Sequence, residues 1–187
     1  AADVASFADT LYTDGNSVYY INGKFEAASV VTNVYAPYLA GDGKTLTYMR
    51  SDSIYQVDGT NDSAERVELV DGGVFQFVAT ADGKAVFFVN DDYEVCYQKG
   101  RGKPVTVGED FTANPGVFRL FKGQKLFYVS DDELCSSSGG KGVSVRGIDG
   151  DVLSVSGGMY GVTVTTDDGG ETLTYYSADG NKFTLSN

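Results

Sequence analysis

"GDGKTLTYMRSDSIYQVDG", residues 41–59, reads as two short strands set between tight turns. Its pattern returns as "ADGKAVFFVNDDYEVCYQKG" at 81–100 and as "KGQKLFYVSDDELCSSSGG" at 122–140. Two further stretches share its first half, "DGNSVYYI" at 14–21 and "GGETLTYY" at 169–176. In each, a turn glycine leads into a small or polar residue, an aliphatic residue, any residue and an aromatic. The glycines are Gly15, Gly43, Gly83, Gly123 and Gly170, separated by 28, 40, 40 and 47 residues. A period near 40 with atypical ends marks a propeller or solenoid array.

Each position in the pattern has a physical reason. Asp-Gly supplies the positive φ angles of a two-residue hairpin turn, which side chains bearing a Cβ resist. A strand precedes that turn: "APYLAG" at 36–41, "VFQFVAT" at 74–80, "VFRLF" at 117–121 and "GVTVTT" at 161–166. A second strand follows, then a turn of Asp, Asn or Ser ("SDS" at 51–53, "NDD" at 90–92, "SDD" at 130–132) and a third strand. A fourth is visible in "ERVELV" at 65–70, "PVTVG" at 104–108 and "VSVRGI" at 143–148. The predicted unit is a four-stranded antiparallel meander. Five units cover approximately residues 8–34, 35–73, 74–116, 117–158 and 159–187, as one domain.

The second strands decide how such sheets pack. A sheet with one wet face alternates apolar and polar residues. Here Val86, Phe87, Phe88 and Val89 are all apolar, as are Leu126, Phe127, Tyr128 and Val129. Both faces must be covered, because burying one such aromatic is worth roughly 1.5–3 kcal/mol. A sandwich covers each sheet on one face; meanders stacked face to face around an axis cover both, which is a β-propeller. The fold class expected is therefore all-β, a small propeller of about five four-stranded blades, the alternative being another antiparallel meander array.

Composition agrees. The 187 residues carry 24 Gly, 13 Tyr and 11 Phe, with 3 Pro and no Trp, which favours strands joined by tight turns. Fourteen basic against 26 acidic residues give a net charge of −12. That field repels a phosphate backbone, so nucleic acid is not an expected partner. No apolar run is long enough to insert this segment in a membrane; "AVFFV" at 85–89 is among the longest. The start at "AADVAS" reads as a mature or trimmed terminus, with a leader or anchor outside the segment and an extracellular or cell-surface location expected.

The order of strand, Asp-Gly-Lys, "TLTYM" or "AVFFV", acidic turn and "SIYQVDG" resembles the repeats of TolB-like and dipeptidyl-peptidase-type propellers, WD-like blades without the Trp-Asp signature. The usual Ser-Pro before Asp-Gly is missing, and the fourth copy has Lys-Gly instead. The resemblance implies a propeller whose blades scaffold or bind, and it carries no catalytic residue.

The absence of histidine excludes a Ser-His-Asp triad, a Cys-His pair, an HExxH zinc site and a histidine base. No phosphate-binding glycine loop is present, and no cofactor is expected. Cys96 and Cys135 occupy matching places in successive third strands, so their side chains point the same way and two free thiols are predicted. Carboxylates remain. A glycoside-type hydrolase using a pair of them is the catalytic alternative, but nearly every acid here sits in a turn, where Asp serves the backbone. Asp167, Asp168 and Glu171 in "TTDDGGE" offer hard oxygens as calcium candidates, without the D-x-D-x-D spacing of a calcium loop. Asp52, Asp91, Asp92, Asp131 and Asp132, all in turns between second and third strands, are the candidate partner-binding residues. An acidic rim of this kind favours a basic partner or a cation. The function expected is a non-catalytic binding or scaffold module for a protein or carbohydrate ligand, or else a purely structural domain of a larger protein. The fifth unit shows only three strands, so "ADVAS" at 2–6 is expected to pair beside "KFTLS" at 182–186.

Overall fold

Short apolar and aromatic runs between glycine-bearing turns leave little room for a helix, and the computed structural model has none among its described residues. Those residues are 10–13, 17–21, 27–58, 64–113, 117–121, 123–140, 142–144, 151–157, 161–167, 171–177 and 182–186. Strands β1 (Thr10–Thr13), β2 (Ser17–Ile21) and β3 (Ala27–Thr32) form a first sheet. The second holds β4 (Tyr35–Leu39), β5 (Thr45–Arg50), β6 (Ser53–Asp58) and β7 (Val67–Val70). The third holds β8 (Val74–Ala79), β9 (Ala85–Asn90), β10 (Val95–Lys99) and β11 (Val105–Gly108). The fourth holds β12 (Phe118–Phe121), β13 (Lys125–Ser130), β14 (Glu133–Ser137) and β15 (Val143–Ser144). The fifth holds β16 (Asp151–Gly157), β17 (Gly161–Asp167), β18 (Glu171–Ser177) and β19 (Lys182–Ser186). In every sheet the strands lie in sequence order, which is the predicted meander.

The fifth sheet departs from the sequence expectation by one strand. Among the described residues β16 opens it and the fifth sheet has four strands, while the first sheet has three. "GVTVTT" is thus a second strand and "GGETLTYY" a third. The proposed partner of β19, residues 2–6, lies outside the described residues.

The second strands are covered as their composition requires. Ala85 to Val89 in β9 are buried without a break, and so are Leu126 to Ser130 in β13. The chain divides into two compact units, Ala1–Val86 and Phe87–Asn187. The first has a core of Val18, Val31, Val34, Leu46, Tyr48 and Val57. The second is organised around Phe121, Phe127, Val129, Leu134, Val152, Val162 and Val164. Phe121 and Phe127 meet edge to face with ring centroids 5.1 Å apart, the arrangement the ring quadrupole favours.

The Asp-Gly turns are built differently from the two-residue hairpin predicted. Ala40 N–H donates to the Thr45 carbonyl at 2.8 Å, closing a four-residue loop over 41–44. Only the glycine has positive φ: Gly43 at 70° and, in the next sheet, Gly83 at 68°. Asp42 keeps an ordinary φ and works through its side chain. Its carboxylate accepts Lys44 N–H and Thr45 N–H at 2.8 Å each, and the Thr45 hydroxyl at 2.7 Å. Asp82 accepts the Thr80 hydroxyl at 2.7 Å and Lys84 N–H at 3.1 Å. The aspartate is selected as a local acceptor that folds the loop over itself.

Candidate functional site

The acidic turn residues divide by the work their atoms do. In the first unit, Ser51–Asp52 joins β5 to β6. The Asp52 carboxylate accepts Gly73 N–H at 3.1 Å, its carbonyl accepts Val74 N–H at 2.9 Å, and the adjacent Ser53 hydroxyl accepts Gly72 N–H at 2.9 Å. Asp52 therefore anchors the connection into β8. In the second unit, Asp91 and Asp92 are exposed in a turn held by a different residue. Asn90 accepts Glu94 N–H through its side-chain oxygen and donates to the Glu94 carboxylate, both at 2.8 Å.

Asp131 and Asp132 form a two-residue turn with φ of 49° and 58°, the left-handed conformation that Asp and Asn tolerate better than other side chains. Asp131 N–H donates to the Asp110 carbonyl at 3.0 Å, and the Asp132 carbonyl accepts Val152 N–H at 3.2 Å. Their carboxylates are exposed, so within the second unit four acidic side chains face solvent from two such turns.

Of the calcium candidates, Asp167 is exposed at the end of β17, in register with Asp151 on one side and Glu171 on the other. Asp168 lies outside the described residues. Among the described residues no group of three His, Cys, Asp or Glu side chains is placed to hold a metal ion. Cys96 is buried and Cys135 half-buried, and neither forms a disulfide. Burial, then the Glu94 carboxylate, pushes the Cys96 thiol up, away from the thiolate.

The second unit contains a cleft of about 550 Å³ bordered by 105–110, Tyr128, Ser130, Asp131, Cys135 and Gly142. Its principal polar groups are engaged. The Tyr128 hydroxyl donates to the Val107 carbonyl at 2.9 Å, and the Ser130 hydroxyl donates to the Glu109 carbonyl. Burial drives the Tyr128 phenol well above its ordinary range, so it remains a neutral donor. This phenol is seated on two glycines. A Cβ at Gly108 would lie 2.6 Å from the ring, and one at Gly142 would lie 1.9 Å from the hydroxyl.

A second cleft, of about 430 Å³, lies in the first unit at the β5–β6 end of the second sheet. Tyr48 and Tyr55 are register partners across β5 and β6, and their rings stack at 5.7 Å with 23° between planes. Two residues further along, Arg50 pairs with Ser53 on the same face. Arg66, just before β7, borders the cleft from the other side, and Ser51 and Asp52 complete it. Tyr48 is only 1% exposed; both arginines are exposed. Burial pushes the Tyr48 phenol up, while the nearby Arg66 and Arg50 guanidinium groups pull against that shift. Among the described residues, neither arginine is ion-paired and the Tyr48 hydroxyl has no hydrogen-bond partner.

Sequence reasoning passed over this cleft, yet the repeat held its signal. In the places of Arg50, the third and fourth sheets carry Asn90 and Ser130, each bonded within the fold. In the place of Arg66 the third sheet carries Pro104. The two cations are departures from the repeat that no turn or strand requires.

No known sequence family matches the chain, and no curated protein sequence matches it either. Solved structures do. Hsv2 of Kluyveromyces lactis aligns over 96% of this chain and 62% of its own at 13% identity, with a TM-score of 0.58. An oligogalacturonate lyase from Vibrio parahaemolyticus aligns over 96% and 64% at 10% identity, TM-score 0.59. A protein described as TolB from Agrobacterium tumefaciens aligns over 86% and 65% at 13%, TM-score 0.53. These are β-propellers, and the five consecutive antiparallel sheets of this chain have the same fold. The chain spans less than two thirds of the length of each.

Proposed function

We propose that the chain is a non-catalytic binding or scaffold module, built of TolB-type, WD-like blades, that acts outside the cell or at its surface on a protein or carbohydrate ligand. The observation that carries this reading is the use of the carboxylates. Asp42, Asp52 and Asp82, repeated at the turns, are tied to backbone N–H or neighbouring hydroxyl groups. The Thr45 hydroxyl, with backbone N–H groups, holds Asp42 below the ordinary carboxylate range, and the Thr80 hydroxyl does the same for Asp82. A glycosidase needs one carboxyl raised to act as an acid beside a second that stays ionised. Lowered, hydrogen-bonded aspartates suit a rigid frame that presents its faces and clefts. The net charge of −12 favours neutral or basic ligands on most of that surface and disfavours nucleic acid.

The test is to immobilise the chain, present polysaccharides, oligosaccharides and basic proteins, and follow both capture and product release. Capture with the ligand recovered intact is the expected result. Release of shortened sugar chains that scales with protein and time would overturn the reading. Immunodetection of the full-length protein in surface and culture fractions tests its location; confinement to the cytoplasm would refute that part.

A further inference from the structure

The cleft formed by Tyr48, Arg50, Arg66, Ser51 and Asp52 is the place where this molecule departs from its own repeat and leaves polar groups uncommitted. We propose that it is a binding site for a small organic carboxylate, held by the Arg50 and Arg66 guanidinium groups and the Tyr48 hydroxyl, with the stacked Tyr48–Tyr55 pair at its wall. The site rests on the binding-module reading and adds to it a ligand class and a location.

Three observations converge. The first is charge. Two guanidinium groups border one cleft in a chain of net charge −12, and among the described residues neither has a carboxylate within ion-pair distance. Both side chains are exposed and hydrated, and an anion entering the cleft would meet both. Guanidinium groups present planar forks that match a carboxylate in a bidentate manner. The second is the hydroxyl of a tyrosine that is 1% exposed, facing the cleft without a partner among the described residues. No buried side-chain polar atom among the described residues lacks a partner, so the Tyr48 oxygen reaches solvent and can exchange water for a ligand oxygen. The third is size. About 430 Å³ lies within the roughly 300–1,000 Å³ range of small-molecule sites.

The same residues select among anions. Asp52 borders the cleft with its carboxylate fixed by Gly73 N–H, and the Glu68 carboxylate, which accepts the Tyr55 hydroxyl, and Asp71 lie beside the same wall. With those carboxylates around it, the arginine pair suits a ligand of single negative charge. A phosphate dianion would meet Asp52 and the negative field of the whole chain with twice the charge.

Isothermal titration of the intact chain with glucuronate, benzoate, glucose and inorganic phosphate tests this directly. At least one of the two carboxylates should bind with a dissociation constant of about 1 mM or tighter. Glucose, which lacks the charge, should not, and phosphate should bind more weakly than the carboxylate. Arg50→Gln and Arg66→Gln should each weaken the carboxylate about tenfold or more, and Tyr48→Phe should weaken it severalfold. The glutamine changes are at exposed positions, and unchanged melting curves will show that the fold is kept. If neither carboxylate binds, if glucose binds as well as glucuronate, or if both glutamine variants bind like the wild type, the arginines are merely solvated surface charges. Stronger binding of phosphate than of carboxylate would overturn the assigned ligand class. Turnover of a bound sugar acid with the arginine dependence intact would refute the non-catalytic reading and leave this site standing.

Discussion

Gly142 offers the sharpest test of how the second unit is held together. Its N–H donates to the Val107 carbonyl at 2.6 Å, and the Tyr128 hydroxyl donates to the same oxygen at 2.9 Å. A Cβ added here would stand 1.9 Å from the Tyr128 hydroxyl oxygen and 2.2 Å from the Val107 carbonyl oxygen. Real Cβ contacts essentially never fall below 3.0 Å, so Gly142→Ala must displace backbone or tyrosine by about 1 Å. Overpacking of this kind costs about 1–3 kcal/mol, and each weakened hydrogen bond about 1 kcal/mol more. With both hydrogen bonds weakened the sum is about 3–5 kcal/mol, a melting temperature lowered by about 6–20 °C for a chain of this size. Gly140→Ala is the matched control, because its Cβ would meet nothing within 4 Å. Tyr128→Phe alone should cost about 1 kcal/mol. Combined with Gly142→Ala it should cost less than the two separately, because the closest clash is with the deleted hydroxyl. Thermal and urea unfolding followed by circular dichroism measure all four. If Gly142→Ala melts with the wild type, or if Gly140→Ala loses as much, the seat of Tyr128 on glycine is not what holds this region.

Asp42 has its carboxyl held down in the folded state, chiefly by the Thr45 hydroxyl, so its contribution is present above the unfolded value near 4 and lost as pH falls through the lower folded value. Wild-type stability should therefore fall more steeply below about pH 4 than that of Asp42→Ala; parallel curves would refute the assignment. In the native chain a soluble alkylating reagent should modify half-buried Cys135 faster than buried Cys96, and mass spectrometry should find both reduced; a mass two units lower, or faster labelling of Cys96, would contradict the structure. At the left-handed Asp131 and Asp132, Asn replacements should leave the melting temperature within about 2 °C, whereas Val at either should lower it by several degrees, which chemical denaturation can confirm.

The repeat of glycine, aliphatic and aromatic residues determined the class of structure without further help. Continuous apolar runs such as Ala85–Val89 are stable only when both faces of the strand are covered, and the structure buries that run entire. Placement of the last copy was not determined. "GGETLTYY" carries the same turn and strand signal as "DGKTLTYM", yet it follows β17 rather than β16. A glycine turn and an aliphatic-aromatic strand specify a hairpin, and nothing local states which hairpin of a meander it is. The Asp-Gly turn shows the same limit at smaller scale. Composition located the bend, but whether aspartate contributes its φ or its side-chain oxygen is settled by the pairing of Ala40 with Thr45 across the loop.

The acidic turns were legible as positions, and their division into anchors and exposed charges was not. Asp52 is tied down because Gly73, 21 residues away, returns to it, whereas the turn at Asp91 and Asp92 is held by Asn90. The arginine cleft was the least legible. Arg50 and Arg66 are 16 residues apart, on opposite sides of β6; Arg50 is opposite Ser53 at the start of β6 while Arg66 precedes Val67, the partner of Gln56, and only the registered pairing of β5, β6 and β7 sets both beside one cleft with Tyr48. Local sequence encodes strands and bends because backbone conformation is decided by neighbours in the chain. Which charges meet is decided by neighbours in space, and those are assigned by strand register alone.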